Sequence, residues 1–155
     1  MHALAKLLYL LSLTVWIGTI IFFSFVVAPS IFGALPSSDA GRVIGTIFPT
    51  YYRLGYICGA VLLVTSVVLR ASAAARGWWT VNSLLAALML SVTVYAGAVI
   101  QPRASALRPQ IHDSAAAPEA KREFDSLHRI AVGLNSVALL CGCVVSYITA
   151  RTLQP

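Results

Sequence analysis

Charge is what this sequence has least of. Five acids and eleven bases among 155 residues make it 10% charged, against roughly a quarter in a soluble globular domain. That is too little charge to clothe a water-facing surface. The net charge of +6 does not point to nucleic acid, because the bases are spread around apolar runs as ordinary interfacial anchors. Cysteine is also scarce. Cys58, Cys141 and Cys143 all sit inside apolar runs, and an odd number of such thiols excludes a disulfide framework. Histidine is limited to His2, His112 and His128. A haem held by two histidines needs two facing ligands within a bundle, and only His128 is placed for that. Hydrolytic catalysis needs a nucleophile, a base and an orienting group. The acids Asp39, Asp113, Glu119, Glu123 and Asp125 read instead as charges on the connections.

What the sequence has is length of apolar run. It is 59% hydrophobic, and its mean hydropathy is +0.84. Four runs reach the roughly 20 residues a membrane-spanning helix needs. They lie at about 5–28, 51–69, 78–100 and 129–150. The first is too long for the 7–15-residue core of a signal peptide, so it is expected to stay as an anchored helix. In hydrocarbon every peptide group must be satisfied within its own segment. The expected fold is therefore an all-α integral membrane protein, one four-transmembrane-helix bundle over residues 1–155.

The connections refine that expectation. Pro29 is expected to end the first span. "LPSSDAGRVIGTIFP" then offers Ser37, Ser38 and Asp39 as caps, with Ala40, Val43, Ile44, Ile47 and Phe48 at helical spacing. This predicts a short interfacial helix lying on the membrane, stopped by Pro49. "RASAAARGWW" is short, which makes spans two and three antiparallel neighbours. Pro102 is expected to kink the third span rather than end it. Pro118 and Glu119 suit a helix start, so the fourth helix is expected from Pro118 to about Arg151, roughly 50 Å. Helices three and four should then protrude together.

With four spans, both termini share one face with the short link. Lys6, Arg70, Arg76 and Arg151 lie there. All five acids lie on the other, loop-rich face with Arg42, Arg53, Arg103, Arg108, Lys121, Arg122 and Arg129. Near the span ends, the count of bases favours the loop-rich face as cytoplasmic and their density favours the terminal face; the orientation expected here has cytoplasmic termini, in a bacterial inner (cytoplasmic) membrane.

Three polar clusters converge on the loop-rich face: "PTYYR", "QPR" and "LHR". Asn135 lies two helical turns below His128, roughly 10 Å deeper on the same side. The stripe continues through Ala131, Ala138, Gly142 and Ser146, and span two offers Tyr52, Gly55, Gly59 and Ser66. Small and polar stripes of this kind face other helices. The candidate ligand-binding residues are Tyr51, Tyr52, Arg53, Gln101, Arg103, His128, Arg129 and Asn135. Cations and tyrosine hydroxyls suit an anionic or polar head group. The plainer alternative is that Arg53, Arg103 and Arg129 reach out to lipid phosphates while Asn135 bridges helices. His2 and His112 read as a terminus and a loop residue. The thiols are weak metal candidates: thiolates suit copper(I), but Cys141 and Cys143 stand about 200° apart on a helix.

The pieces "LLYLLSLTVWIG", "FPTYYR", "QPRASA" and "FDSLHRIAVGLN", in that order, resemble the transmembrane protein 205-like family. The resemblance covers nearly the whole chain. It implies four transmembrane helices, and animal members are associated with resistance to a platinum drug. It carries over no catalytic residue. Gln101 stands where family members have an acid before the proline, so a cation-binding role for that position does not transfer. More distantly, the layout is similar to copper-resistance-protein-D-like membrane proteins, some of whose relatives handle haem or copper.

The expected function is binding or transport of a small polar or anionic solute, or of a lipid head group, through a polar pocket at one membrane face. The protein is expected to work as a homo-oligomer in the bilayer, without nucleic acid and with no predicted cofactor. Haem or copper stays open under the alternative of a haem- or quinone-linked redox protein. A structural or assembly factor is the third reading, and an enzyme is not expected.

Overall fold

Apolar runs that must satisfy their own peptide groups become helices, and every described residue except Leu35 and Pro36 is helical. The computed structural model describes residues 2–72, 76–111 and 117–152, without the side chains of His2, Ser72, Ala117 and Thr152. His112, Asp113, the His2 side chain and the middle of the link between spans two and three lie outside the described residues.

Helix α1 (His2–Phe22) runs through a π-turn (Phe23–Val27) into α2 (Ala28–Ala34). Helix α3 (Ser37–Ser72) is one unbroken rod. Helix α4 (Arg76–Tyr95) passes through a second π-turn (Ala96–Ile100) into α5 (Gln101–Ile111), and α6 (Ala117–Thr152) follows. The four rods Ala3–Ala34, Ser37–Ala71, Arg76–Ile111 and Pro118–Arg151 are long and apolar enough to cross a membrane. The chain is an integral membrane protein with an all-α four-helix bundle.

The prolines behave differently from expectation. Pro29 does not end the first span, which continues to Ala34. A helical proline lacks an N–H, and its ring crowds the carbonyl four residues back. Each π-turn ends two residues before a proline, Val27 before Pro29 and Ile100 before Pro102. The Ala28 N–H reaches the Phe23 carbonyl and the Gln101 N–H that of Ala96. The wider turn gives the ring room, so the rod continues. Pro102 thus interrupts its span without ending it, as expected.

The separate interfacial helix is not found. Pro49 lies within α3, and the segment before it stands upright as the outer end of that helix. Ala40 and Ile44 are buried, at 0% and 4% exposure, with α2 packed against α3. Lying on the membrane would strip that packing from both residues. Pro36 stops α2 and starts α3: Leu35 before it is extended, and its carbonyl accepts the N–H groups of Asp39 and Ala40 at 2.9 Å.

Helices α1, α3, α4 and α6 pack in a ring, each on the next and α6 back on α1. Tyr9, Leu13, Trp16 and Ile20 are the buried face of α1, at i, i+4, i+7 and i+11. Gly55 and Gly59 on α3 make the notch for Trp16. A Cβ on Gly59 would lie 2.8 Å from both Trp16 Cη2 and Leu90 Cδ1. This GxxxG therefore serves close packing inside the bundle, and not a contact between protomers. On α6 the buried line runs through Ala138, Gly142, Val145 and Thr149, while Ser146 is exposed. Beyond the ring, α5 and α6 extend as an antiparallel pair around Leu107, Ala120 and Leu127. At 36 residues, α6 is roughly 54 Å long, well past a hydrocarbon core of roughly 30 Å.

Candidate functional site: a side-opening cleft

Asparagine is costly to leave unpaired in hydrocarbon, and Asn135 has partners on two other segments. The Tyr51 hydroxyl donates to Asn135 Oδ1 at 2.6 Å, and Asn135 Nδ2 donates to Ser24 Oγ at 3.2 Å. Ser24 comes from the first π-turn. One polar bridge thus ties α3, α6 and the α1–α2 rod at a single depth.

Outward from this bridge, between α2 and α6, lies a cavity of about 670 Å³. Its α6 wall carries Phe124, His128, Ala131, Asn135 and Leu139, a line roughly 22 Å long at 1.5 Å per residue. The opposite wall is Phe23, Ser24, Phe25, Ala28, Pro29 and Phe32; the floor is Ile44, Phe48, Tyr51 and Tyr52 of α3. Phe25, Phe32 and Val132 form the rim, with 68%, 51% and 51% of their surface exposed. These exposed apolar residues leave the cleft open on the side of the bundle. The floor is knit by aromatic contacts: Phe23 to Tyr51 at 4.9 Å, Phe48 to Tyr52 at 5.8 Å and Tyr51 to Tyr52 at 5.3 Å. These tilted and edge geometries hold rings rigidly.

The structure brings four of the eight sequence-predicted residues to this cavity: Tyr51, Tyr52, His128 and Asn135. The other four do not line it. Exposed Arg53 bonds the Pro49 carbonyl at 3.3 Å and Thr50 Oγ1 at 3.4 Å. Gln101 donates to Ser105 Oγ at 3.0 Å along its own helix. Arg103 and Arg129 are exposed on the outside. The wall is also more apolar than a polar-pocket reading expects, because phenylalanines from three rods close around one polar bridge. Cys58 is buried, Cys141 half-buried and Cys143 exposed. Among the described residues no three His, Cys, Asp or Glu side chains come close enough together to hold a metal ion.

Two contributors to the cleft escape sequence reading, and so does one buried polar residue far from it. Ser24 sits within "FFSFVV", where the π-turn shifts the helical phase. Arg108 closes the outer end of the cavity, although it reads as one more loop charge. Asn82 is fully buried at the opposite end of the bundle, its Nδ2 donating over 3.5 Å to Thr149 Oγ1, which also bonds the Tyr9 hydroxyl at 2.9 Å.

The bridge makes a testable prediction. Asn135→Ala leaves the Tyr51 hydroxyl without its acceptor and should cost about 1–3 kcal/mol. Adding Tyr51→Phe removes the orphaned group and should restore most of the loss. Unfolding of the single and double variants in mild detergent measures this. Additive losses would show that the two side chains do not depend on each other.

A family described as a domain of unknown function, DUF4149, matches residues 11–113, well over half of the 155. The chain belongs to the DUF4149 family. The DUF4149 match runs from within α1 through α5, so α6, with His128 and Asn135, lies beyond it. An uncharacterized protein of Aquifex aeolicus (strain VF5) is 43% identical over 56 residues, 36% of this chain and 41% of that protein. The chain thus spans less than half the length of that relative. No solved structure matches.

Proposed function

We propose that this DUF4149 protein holds a membrane-dissolved amphiphile in the cleft between α2 and α6. The chain of the ligand lies along the phenylalanines, and a polar group reaches the Tyr51–Asn135–Ser24 bridge. The observation that carries this is the cavity of about 670 Å³ whose rim is exposed Phe25, Phe32 and Val132. An apolar cavity with a few placed polar groups is the usual form of a small-molecule site. The opening suits a ligand that arrives through lipid rather than through water. The proposal keeps the lipid-head-group form of the expected function and favours it over a free polar solute, which has no hydrophobic chain to match the walls. It also includes a bacterial inner membrane, cytoplasmic termini for the density of bases there, and affiliation with the transmembrane protein 205-like family.

The test is to fill the cleft. Ala131 is on its wall, and Ala131→Trp puts an indole into the cavity. The wild type purified in mild detergent should carry a bound amphiphile in native mass spectrometry. Ala131→Trp should lose it by roughly tenfold or more, the scale of 1.4 kcal/mol. Leu140→Trp, on the 66% exposed lipid side of the same helix, should keep it. Equal occupancy in all three proteins would remove the cleft as the binding site.

A further inference from the structure

We infer that the cleft selects a lipid with an anionic phosphate head group, and that Arg108 is the residue that reads it. The inference rests on the cleft reading above and adds the chemistry of its outer end.

Arg108 is a guanidinium held in place with most of its donors unmatched. Its Nη1 donates to the Gly41 carbonyl, its buried Nε has no partner, and no ion pair involves it among the described residues. The acid of the neighbouring turn, Asp39, is paired with Arg42. The seat is a small-residue notch at Gly45 on the outer end of α3, one turn from the Gly41 carbonyl. A Cβ on Gly45 would lie 2.2 Å from Nη1, so glycine there is what lets the guanidinium lie against α3. On the other side the guanidinium carbon stands 6.0 Å over the Phe124 ring, and that ring stacks on His128 at 6.4 Å and 5°. A planar fork fixed between a carbonyl and an aromatic face is preorganised for bidentate binding of phosphate oxygens.

Depth supports the same ligand. Arg108 is five residues beyond the exposed Arg103 on α5, roughly 8 Å further out. Head groups occupy roughly 5–8 Å on each side of the hydrocarbon core. A lipid whose chain lies on Phe25 and Phe32 therefore presents its phosphate at the level of Arg108. Exposed Arg53, Arg103 and Arg129 do not line this cleft.

The experiment compares phosphatidylglycerol with phosphatidylcholine of the same acyl chains, each added to the full-length protein and read by native mass spectrometry. The wild type should prefer phosphatidylglycerol by roughly tenfold, the scale of one charge-assisted hydrogen bond. Arg108→Gln should bring phosphatidylglycerol down to the phosphatidylcholine level and weaken phosphatidylcholine, whose phosphate is already offset by its own choline cation, by much less. Gly45→Val, which evicts the guanidinium but keeps the charge, should also abolish the preference. Arg108→Lys should retain part of it. Equal binding of the two lipids by the wild type, or a preference that survives Arg108→Gln, overturns the inference while the cleft reading stands. Binding of neither lipid overturns both. Glycerol phosphate competing as well as the whole lipid would show that the site reads a free phosphate ester, and would overturn the lipid assignment.

Discussion

Trp16→Ala is expected to lower the stability of the bundle by about 3 kcal/mol, the low end of the range for truncating a buried aromatic side chain. The low end applies because unfolded spans stay in lipid, where an apolar side chain keeps its solvent and the transfer part of the loss is small. The packing part remains, since van der Waals contact is what drives helices together in a membrane. Trp16 is 2% exposed and fills the notch of Gly55 and Gly59, with Leu90 of α4 against the same notch. The two glycines have no side chain to fill the space that truncation leaves. Trp78→Ala, at a site 55% exposed, should change little. Denaturation of both variants in detergent by heat or by sodium dodecyl sulfate measures the difference. Equal losses would show that the notch is not the keystone of the ring.

Gly97→Val should damage the cleft from behind. Gly97 is in the second π-turn, on α3's far side from the cavity, and a Cβ there would lie 2.6 Å from Tyr52 Cγ and 2.1 Å from the Tyr56 hydroxyl. The Tyr52 ring is the body of a side chain wedged between Phe48, Tyr51 and Tyr56, so it cannot swing aside cheaply. Overpacking of this kind costs about 1–3 kcal/mol. The displacement passes through Tyr52 to Tyr51 and then to Asn135, so bound amphiphile should fall along with stability. Gly18→Val, where a Cβ meets nothing within 4 Å, is the control. Lower stability with undiminished ligand would show that the aromatic floor does not relay the strain.

The elements that could be read from sequence are those set by local composition. The four spans follow from uninterrupted apolar length, and the start of α6 from Pro118 and Glu119 in its first turn. The depth of Asn135 below His128 follows from helix geometry alone. The meeting of Tyr51 with Asn135, 84 residues apart, was legible because both lie just inside the same membrane face. What escaped reading depends on partners far along the chain. Whether Pro29 ends a helix depends on whether the turn before it can widen. Pro49 does not end α3 because packing of Ala40 and Ile44 holds the outer segment in line. Arg108 acquires its meaning from Gly41, 67 residues earlier, and Asn82 from Tyr9 and Thr149. Arg53 and Arg129 show the limit of proximity in sequence: each follows a residue that lines the cleft, Tyr52 or His128, yet is itself exposed outside it.

The sideways mouth of the cleft fixes the terms on which a ligand of the proposed kind would compete for it. A ligand that enters from the bilayer is sampled by its mole fraction among neighbouring lipids, and the volume of surrounding water drops out of the equilibrium. An abundant membrane component fills such a site even when the contacts are weak. A rare one must outbind thousands of bulk lipids pressing on the same phenylalanine rim. On the proposed reading, occupancy follows the composition of the membrane in which the protein sits.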